Sequence, residues 1–177
     1  MSIDELIFHA LWNLRSPDLD RVMVDISALG STALVTIQAV VAGAFLILVL
    51  HSRRAALHLG VATGGCAVWI EVLKLIFGRA RPETIPHLVE VTGLSFPSGH
   101  AAGSMALYAT LVLVLSPHLN PKARIAARVI ATLLIALVAV SRVYLGVHYA
   151  SDVAGGLLLG IVWTWAASRL VPHSPPR

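Results

Sequence analysis

The sequence has little charge and a single cysteine. Asp, Glu, Lys and Arg make up 12% of its 177 residues, whereas 57% are hydrophobic, and the mean hydropathy is +0.82. This composition excludes a soluble domain with a polar surface and indicates the bilayer as solvent. Cys66 stands alone, which excludes a disulfide framework and a cysteine metal site. The net charge is +4, but so apolar a chain has little exposed surface on which a basic face could form, so we expect no nucleic-acid partner.

Long apolar runs dominate the rest of the chain. A helix needs about 20 apolar residues to cross about 30 Å of hydrocarbon. The runs that meet this need are 31–50, 55–77, 99–116, 125–143 and 149–168. The first run starts too far into the chain, and lacks the basic head and cleavage site, to be a removable signal. We therefore predict an all-α fold, a polytopic helical bundle with about five transmembrane helices surrounded by membrane lipids.

The N-terminal segment has a different pattern. Apolar residues follow helical spacing after Ser2, and Glu5 is placed to complete a capping box. A second helix is predicted from Ser16, with Pro17 in its first turn, to Gly30. Each has about 12 residues, too few to span, so both are expected to lie at the membrane interface or, equally, to pack on the bundle. The predicted parts are 1–30, amphipathic interfacial helices; 31–170, the transmembrane bundle with the catalytic site; and 171–177, a flexible tail.

Two polar stretches fall at the ends of predicted spans. "EVLKLIFGRARP" ends the second span and places Lys74 and Arg81 on nearly the same helix face before Pro82 ends the helix. In "FPSGH", Ser98 is placed as an N-cap and Gly99 lets another group approach the backbone closely. The free amides of such a helix start bind anions.

A third polar stretch, "SRVYLGVHYASD", joins the fourth and fifth spans. Arg142 closes one helix, Gly146 allows a turn, and His148 and Asp152 lie four residues apart, which predicts a carboxylate beside an imidazole on the next helix. Ionisable groups at membrane depth are costly and usually functional. Cations, a helix N-terminus, two histidines and a carboxylate on one membrane face together predict a phosphate pocket with catalytic groups.

Each polar feature also has a structural explanation. Lys74 and Arg81 can be interface cations whose side chains reach toward the headgroups. His100 can be a residue that hydrogen-bonds to backbone at a helix start. His148 and Asp152 can be a buried structural pair. Their convergence on one side of the membrane favours a functional site. A non-hydrolytic transporter or lipid-binding protein with a degenerate phosphate pocket stays as the alternative.

These three stretches resemble the signature motifs of the type 2 phosphatidic acid phosphatase (PAP2) superfamily: Lys-x6-Arg-Pro, Pro-Ser-Gly-His and Ser-Arg-x5-His-x3-Asp. The resemblance spans 74–152 with the flanking helices. It implies that His148 is a nucleophile that forms a phosphohistidine, that Asp152 orients it, and that His100 protonates the leaving oxygen. The implied phosphoryl-binding residues are Lys74, Arg81, Ser98, Gly99 and Arg142. Soluble vanadium haloperoxidases share this pocket, but five apolar runs argue against that class.

The chemistry of these residue types agrees with the resemblance. A carboxylate fixes the imidazole tautomer that can attack, and Arg suits bidentate contact with phosphate oxygens. One histidine must be neutral and the other protonated, which predicts a bell-shaped dependence of rate on pH. The remaining carboxylates form no cluster that would hold magnesium, so we expect a metal-independent enzyme without a cofactor.

The expected substrate is a lipid phosphate, because the tail can stay in hydrocarbon while the phosphate enters the pocket. The resemblance implies four candidates, with a polyprenyl diphosphate such as undecaprenyl diphosphate slightly favoured. The others are phosphatidylglycerophosphate, phosphatidic acid and a lipid A phosphate. The expected location is a bacterial inner or plasma membrane. Family members commonly have a further hydrophobic helix before the amphipathic segment, so this chain's N-terminus is expected on the catalytic side.

The distribution of Lys and Arg gives an expected orientation. Seven lie on the side opposite the motifs: Arg53, Arg54, Lys122, Arg124, Arg128, Arg169 and Arg177. Six lie on the motif side: Arg15, Arg21, Lys74, Arg79, Arg81 and Arg142. If Lys74, Arg81 and Arg142 bind phosphate, three cations remain on the motif side against seven on the other. The positive-inside rule then places the active site on the extracytoplasmic side.

Glycine pairs at four-residue spacing recur in the predicted spans. Gly60 with Gly64, Gly99 with Gly103, and Gly156 with Gly160 predict close helix approach. Glu71, one turn before Lys74, is expected to pair with that lysine and hold its direction.

Overall fold

The structure is a computed structural model that describes residues 3–83 and 86–172. Within these ranges every regular element is helical. The α-helices are α1 (Ile3–Trp12), α2 (Pro17–Ala28), α3 (Thr32–Leu48), α4 (Arg53–Phe77), α5 (Gly99–Leu115), α6 (Pro121–Tyr144) and α7 (Ala150–Leu170). A short 3-10 turn, Ser116–His118, extends α5.

Four helices are long and apolar enough to cross a membrane: α4, α5 with its 3-10 turn, α6 and α7. Helix α3 has 17 residues, or about 25 Å, and meets the criterion only together with α2, from which it is bent by 48°. The number of spans is therefore four or five. This confirms the predicted all-α membrane bundle.

Local signals set several helix ends. The hydroxyl oxygens of Ser16, Ser31 and Ser52 accept hydrogen bonds from backbone amides three residues later, as N-caps do. Gly78 ends α4 in the left-handed region, with φ of 56°, and its amide donates to the Lys74 carbonyl at 2.9 Å. The chain turns sharply there, so the prediction that Arg81 shares a helix face with Lys74 and that Pro82 ends the helix is wrong. Arg79 and Arg81 lie beyond the helix.

Helix α5 occupies the centre of the bundle, against α4, α6 and α7. Ala101, Ala102 and Ala106 on this helix are fully buried. Helix α7 approaches it closely at two glycines. A Cβ atom on Gly156 would lie 2.5 Å from the Ser98 carbonyl oxygen, and one on Gly160 would lie 2.6 Å from Met105 Cβ.

Helices α1 and α2 pack on the bundle at the end that carries the polar motifs. Phe8 of α1 is buried against Ala101, Ala139 and Val153. On α2, Asp20 accepts a hydrogen bond from the Tyr144 hydroxyl at 2.6 Å. Their location at a membrane interface and the three-part division of the chain stay predictions. Ser2, predicted to cap α1, and the tail from 173 onward lie outside the described residues.

Candidate active site

The turn after α4 positions the first pair of cations. Lys74, in the last turn of α4, forms an ion pair with Glu71 at 2.9 Å, as its spacing predicts. Arg81 Nη1 donates to the Val147 carbonyl at 2.9 Å and lies 3.3 Å from His148 Nε2. Its other nitrogens donate to carbonyls of the loop before α5, namely those of Gly93 and Thr92. These bonds fix the Arg81 guanidinium beside the imidazole.

The N-terminus of α5 forms the second part of the site. Ser98 is the N-cap residue, but its side chain makes no capping bond. The Ser98 hydroxyl oxygen is buried, and no hydrogen-bond partner for it exists among the described residues. Gly99 borders a cavity, described below, that also reaches Lys74. His100 is half-buried and interacts electrostatically with Lys74, Arg81, Arg142 and His148.

Arg142 lies in the last turn of α6 with only 4% of its surface exposed. Its Nη1 donates to the Ser27 hydroxyl at 2.5 Å, whereas Nε is buried without a partner among the described residues. An unpaired buried guanidinium N–H is costly unless an anion satisfies it. Arg142 Nε is thus a buried donor that is open to an anion.

The imidazole of His148 and the carboxylate of Asp152 are neighbours, but not on one helix as the spacing predicted. His148 lies in the loop before α7, which begins at Ala150. Asp152, in the first turn of α7, accepts a bond from the Tyr149 amide at 2.9 Å, and its Oδ2 lies 3.6 Å from His148 Nδ1. The carboxylate thus pins the loop that carries the histidine.

Two further residues complete this group and were missed in the sequence. Ser95 Oγ donates to Asp152 Oδ2 at 2.5 Å and lies 3.3 Å from His148 Nδ1. Arg79 Nη1 lies 2.7 Å from Asp152 Oδ1. In the sequence, Arg79 was only counted among the cations of the motif side, and Ser95 was given no role. Only their proximity to Arg81 and "PSGH" in the sequence could have indicated them.

The hydrogen bonds specify the tautomer of His148. Arginine has only donors, so a bond from Arg81 requires His148 Nε2 to be the acceptor and Nδ1 to carry the ring proton. That proton faces Ser95 Oγ, whose own proton goes to Asp152 Oδ2. Burial lowers the pKa of His148, and the charges of Arg81 and Arg142 lower it further, against the opposing effect of Asp152. The result is a neutral imidazole with its lone pair on Nε2, facing a group of cations.

No group of three or more His, Cys, Asp or Glu side chains that could hold a metal ion occurs within 3–83 and 86–172. The site instead combines four cations and a helix N-terminus with a neutral imidazole. Such a site can bind a phosphoryl group and attack its phosphorus atom.

Comparisons with known proteins agree with this chemistry. Residues 55–175 match the PAP2 superfamily. Phosphatidylglycerophosphatase B of Bacillus subtilis (strain 168) is 35% identical over 163 residues, which cover 91% of this chain and 79% of the relative.

Solved structures show the same likeness. A transmembrane PAP2-type phosphatidylglycerolphosphate phosphatase from Bacillus subtilis superposes with a TM-score of 0.87 at 33% identity, covering 94% of this chain and 83% of that one. LpxE from Aquifex aeolicus has a TM-score of 0.75 at 24% identity and 96% coverage of both chains, which supports the fold. Because the family match and the curated relative each cover most of the sequence, this chain belongs to the PAP2 superfamily and is an integral membrane phosphatase.

Proposed function

We propose that this membrane phosphatase hydrolyses the phosphate of a glycerophospholipid, with phosphatidylglycerophosphate as the first candidate. The observation that carries the proposal is a cavity of about 500 Å³ between α3, α4 and α5. Its body is lined by small and apolar residues such as Val35 and Ala39, and Lys74 and Gly99 lie on its wall. Such a cavity suits a molecule with an apolar tail and a phosphate head.

The choice of headgroup rests on the relatives. The curated relative and the solved structure from Bacillus subtilis are both named as phosphatases of phosphatidylglycerophosphate. The sequence alone favoured a polyprenyl diphosphate, and its phosphate would meet the same cations. We place phosphatidylglycerophosphate first and polyprenyl diphosphate second. The family membership and the complete motifs leave no specific observation that favours a non-hydrolytic transporter.

In the proposed mechanism, His148 is the nucleophile. When a phosphoryl oxygen accepts the Arg81 N–H that now points at Nε2, the freed Nε2 lone pair attacks phosphorus and forms a P–N bond while the bond to the leaving oxygen breaks. His100 gives its proton to that oxygen. Water then attacks the phosphohistidine and gives a proton back to His100, the P–N bond breaks, and inorganic phosphate is released. Asp152, through its contact and through Ser95, keeps the ring proton on Nδ1 and stabilises the cation that forms.

The phosphoryl oxygens are bound by preset donors in this proposal. Lys74, Arg81 and Arg142 supply charge, and Ser98 with the Gly99 backbone supplies donors at the start of α5. The support comes from two buried groups without a partner among the described residues, the Ser98 hydroxyl and Arg142 Nε. A phosphoryl oxygen would satisfy both. Because the donors are already in place, the transition state needs little reorganisation.

The decisive experiment is phosphate release by the purified protein in detergent with a metal chelator. The panel is phosphatidylglycerophosphate, undecaprenyl diphosphate and phosphatidic acid, and the variants are His148→Ala and His118→Ala. His118 is exposed on the opposite side of the bundle and is the matched control. We expect release by the wild type and His118→Ala but not by His148→Ala, fastest on phosphatidylglycerophosphate. No release from any lipid by folded wild-type protein would contradict the proposal.

A trapping experiment tests the intermediate itself. Substrate labelled with radioactive phosphorus should leave acid-labile, alkali-stable label on the wild type after rapid quenching, as a P–N bond does. His148→Ala should carry none. Equal labelling of both proteins would show that another residue is the nucleophile.

A further inference from the structure

Both oxygens of the Asp152 carboxylate are held by other groups. Oδ2 accepts from the Ser95 hydroxyl and the Tyr149 amide, while Oδ1 meets the Arg79 guanidinium at 2.7 Å. The Asp152 side chain is fully buried. The orientation of this carboxylate toward His148 therefore depends on Arg79 as much as on its own helix.

Arg79 is shared between two carboxylates. Its Nη1 contacts Asp152 and donates to the Ser151 hydroxyl at 2.8 Å, while Nη2 lies 3.3 Å from Asp4 Oδ2. The guanidinium carbon lies 4.2 Å from the ring centroid of Tyr149. One cation thus joins the N-terminal helix to the carboxylate of the candidate active site.

Helix α1 is fixed to the start of α7 at the same place. Asp4 accepts from the Ser151 amide at 2.9 Å and from its hydroxyl at 2.6 Å. Burial alone would raise the pKa of Asp4, but the Ser151 bonds and the Arg79 charge outweigh it and hold the pKa below its usual value. The aromatic rings of Phe8 and Tyr149 meet edge to face at 6.1 Å. Asp4 is therefore an ionised partner for Arg79.

We infer that helix α1 helps to position the active-site carboxylate, with Asp4 and Arg79 as positioning residues for the reaction at His148. Asp4 withdraws part of the Arg79 charge from Asp152, and Arg79 holds the carboxylate in place. The inference rests on the proposed role of His148 as nucleophile. It assigns a function in the site to a helix that lies more than 140 residues earlier in the chain.

The two positioning residues should change the basicity of His148 in opposite directions. Loss of the Arg79 charge leaves the Asp152 carboxylate to stabilise the imidazolium more strongly, so the pKa of His148 rises. When Asp4 loses its charge, Arg79 neutralises the Asp152 carboxylate more fully. The carboxylate then stabilises the imidazolium less, so the pKa of His148 falls. The charged and titratable groups that face His148 or Asp152 from the packed elements are Arg79, Arg81, His100 and Arg142, and none of them is changed by Asp4→Asn.

The test compares Arg79→Gln, Arg79→Lys, Asp4→Asn and Asp4→Glu, with Asp25→Asn as the matched control on the exposed face of α2. We expect Arg79→Gln to lower kcat roughly tenfold or more and to move the acid limb of kcat/KM up by about half a pH unit. Asp4→Asn should move that limb down, with kcat reduced about two- to fivefold. Asp4→Glu should restore most of the wild-type pH profile. Arg79→Lys should leave the position of the acid limb of kcat/KM unchanged while kcat falls.

A second readout does not depend on activity. In histidine labelled with nitrogen-15, the His148 ring resonance, identified by its loss in His148→Ala, should titrate higher in Arg79→Gln and lower in Asp4→Asn. Unmoved titration in both variants, with melting temperatures near wild type, would overturn the inference even if the protein is a phosphatase. Shifts of opposite sign in a protein that releases no phosphate would uphold the coupling and reject the proposed function instead.

Discussion

At the scale of single residues, the site contains buried polar atoms that have no hydrogen-bond partner within 3–83 and 86–172. Arg142 Nε and the Ser98 hydroxyl are two such atoms. Each costs free energy in the protein by itself, on the order of 1–3 kcal/mol for a lost hydrogen bond. A phosphoryl group offers acceptor oxygens to both. In the proposed function, binding of the phosphoryl group would offset this cost.

The pH dependence belongs to His148. In the proposed mechanism only the neutral ring can attack, and the pKa of His148 lies below the usual 6.5 because of burial and the charges of Arg81 and Arg142. The rate should fall as pH drops through that lowered pKa, so the acid limb should lie below pH 6.5. Substrate phosphate also ionises near pH 6. The check is therefore titration of the His148 ring resonance, and a midpoint at or above 6.5 would contradict the assignment.

At the scale of elements, glycines serve two different purposes. Gly156 and Gly160 let α7 approach α5, as their spacing predicted. A Cβ on Gly60 or Gly64 of α4 would instead meet nothing within 4 Å, and a Cβ on Gly103 would make only ordinary contacts. All three of these line the cavity beside Lys74. Their small size leaves room for a ligand rather than for a neighbouring helix.

The close approach of α7 to α5 gives a stability prediction. In Gly156→Ala the new methyl group meets the Ser98 carbonyl at 2.5 Å, and backbone at the start of α5 has to shift. We expect a loss of about 1–3 kcal/mol and a marked loss of activity, because Ser98 and Gly99 move with it. Gly43→Ala, on α3 outside the cavity lining, is the matched control; a Cβ there meets nothing within 4 Å, so this variant should be neutral or slightly stabilising. Thermal unfolding in detergent, with activity beside it, distinguishes the two; equal effects would contradict the packing.

The cavity gives a specificity prediction. Gly64→Leu would fill part of the space beside α3, whereas Gly43→Leu on α3 lies outside the cavity lining. We expect Gly64→Leu to raise KM for a long-chain phosphatidylglycerophosphate about tenfold, as the loss of space for a few methylene groups implies. KM for a short-chain, water-soluble analogue should change little. If both substrates respond equally, or if Gly43→Leu has the same effect, the tail does not occupy this cavity.

At the scale of the whole molecule, several cations on the motif side are engaged in contacts within the fold. Arg79 is engaged with Asp152 and Asp4, and Arg15 donates to the Tyr144 carbonyl at 2.7 Å. Arg21 has an exposed ion pair with Asp18. On the opposite side, Arg124 donates to the Ser116 carbonyl at 3.2 Å, so cations of both sides are committed to the fold. The proposal that the active site faces away from the cytoplasm therefore rests on the count of Lys and Arg in the sequence.

Labelling of single cysteines tests that orientation. In a Cys66→Ala background, Glu90→Cys lies in the exposed loop on the motif side and Lys122→Cys at the exposed start of α6 on the other. A membrane-impermeant maleimide should label Glu90→Cys in intact bacterial spheroplasts, and Lys122→Cys only after permeabilisation. The reverse pattern would place the active site in the cytoplasm.

Much of this could be predicted from local sequence. The five apolar runs became α3 to α7, and the second amphipathic helix begins and ends within about two residues of its predicted bounds. The motif residues lie at one end of the bundle because alternating spans bring those helix ends together. The loop position of His148 was not predicted, because four-residue spacing is the same for a helical pair and for a histidine just before a helix. Only the cap formed by Asp152 distinguishes them.

By itself, the sequence determined the membrane class, the helices, the family and the motif residues, because hydropathy, capping and motif spacing depend on residues that are close together in the chain. The tertiary structure decided what surrounds those residues. The bonds of Asp152 to Ser95 and Arg79, and of Asp4 to Ser151, join residues 57, 73 and 147 positions apart. The cavity likewise needs three helices in contact. Such contacts follow from how the helices pack, and no local pattern encodes them.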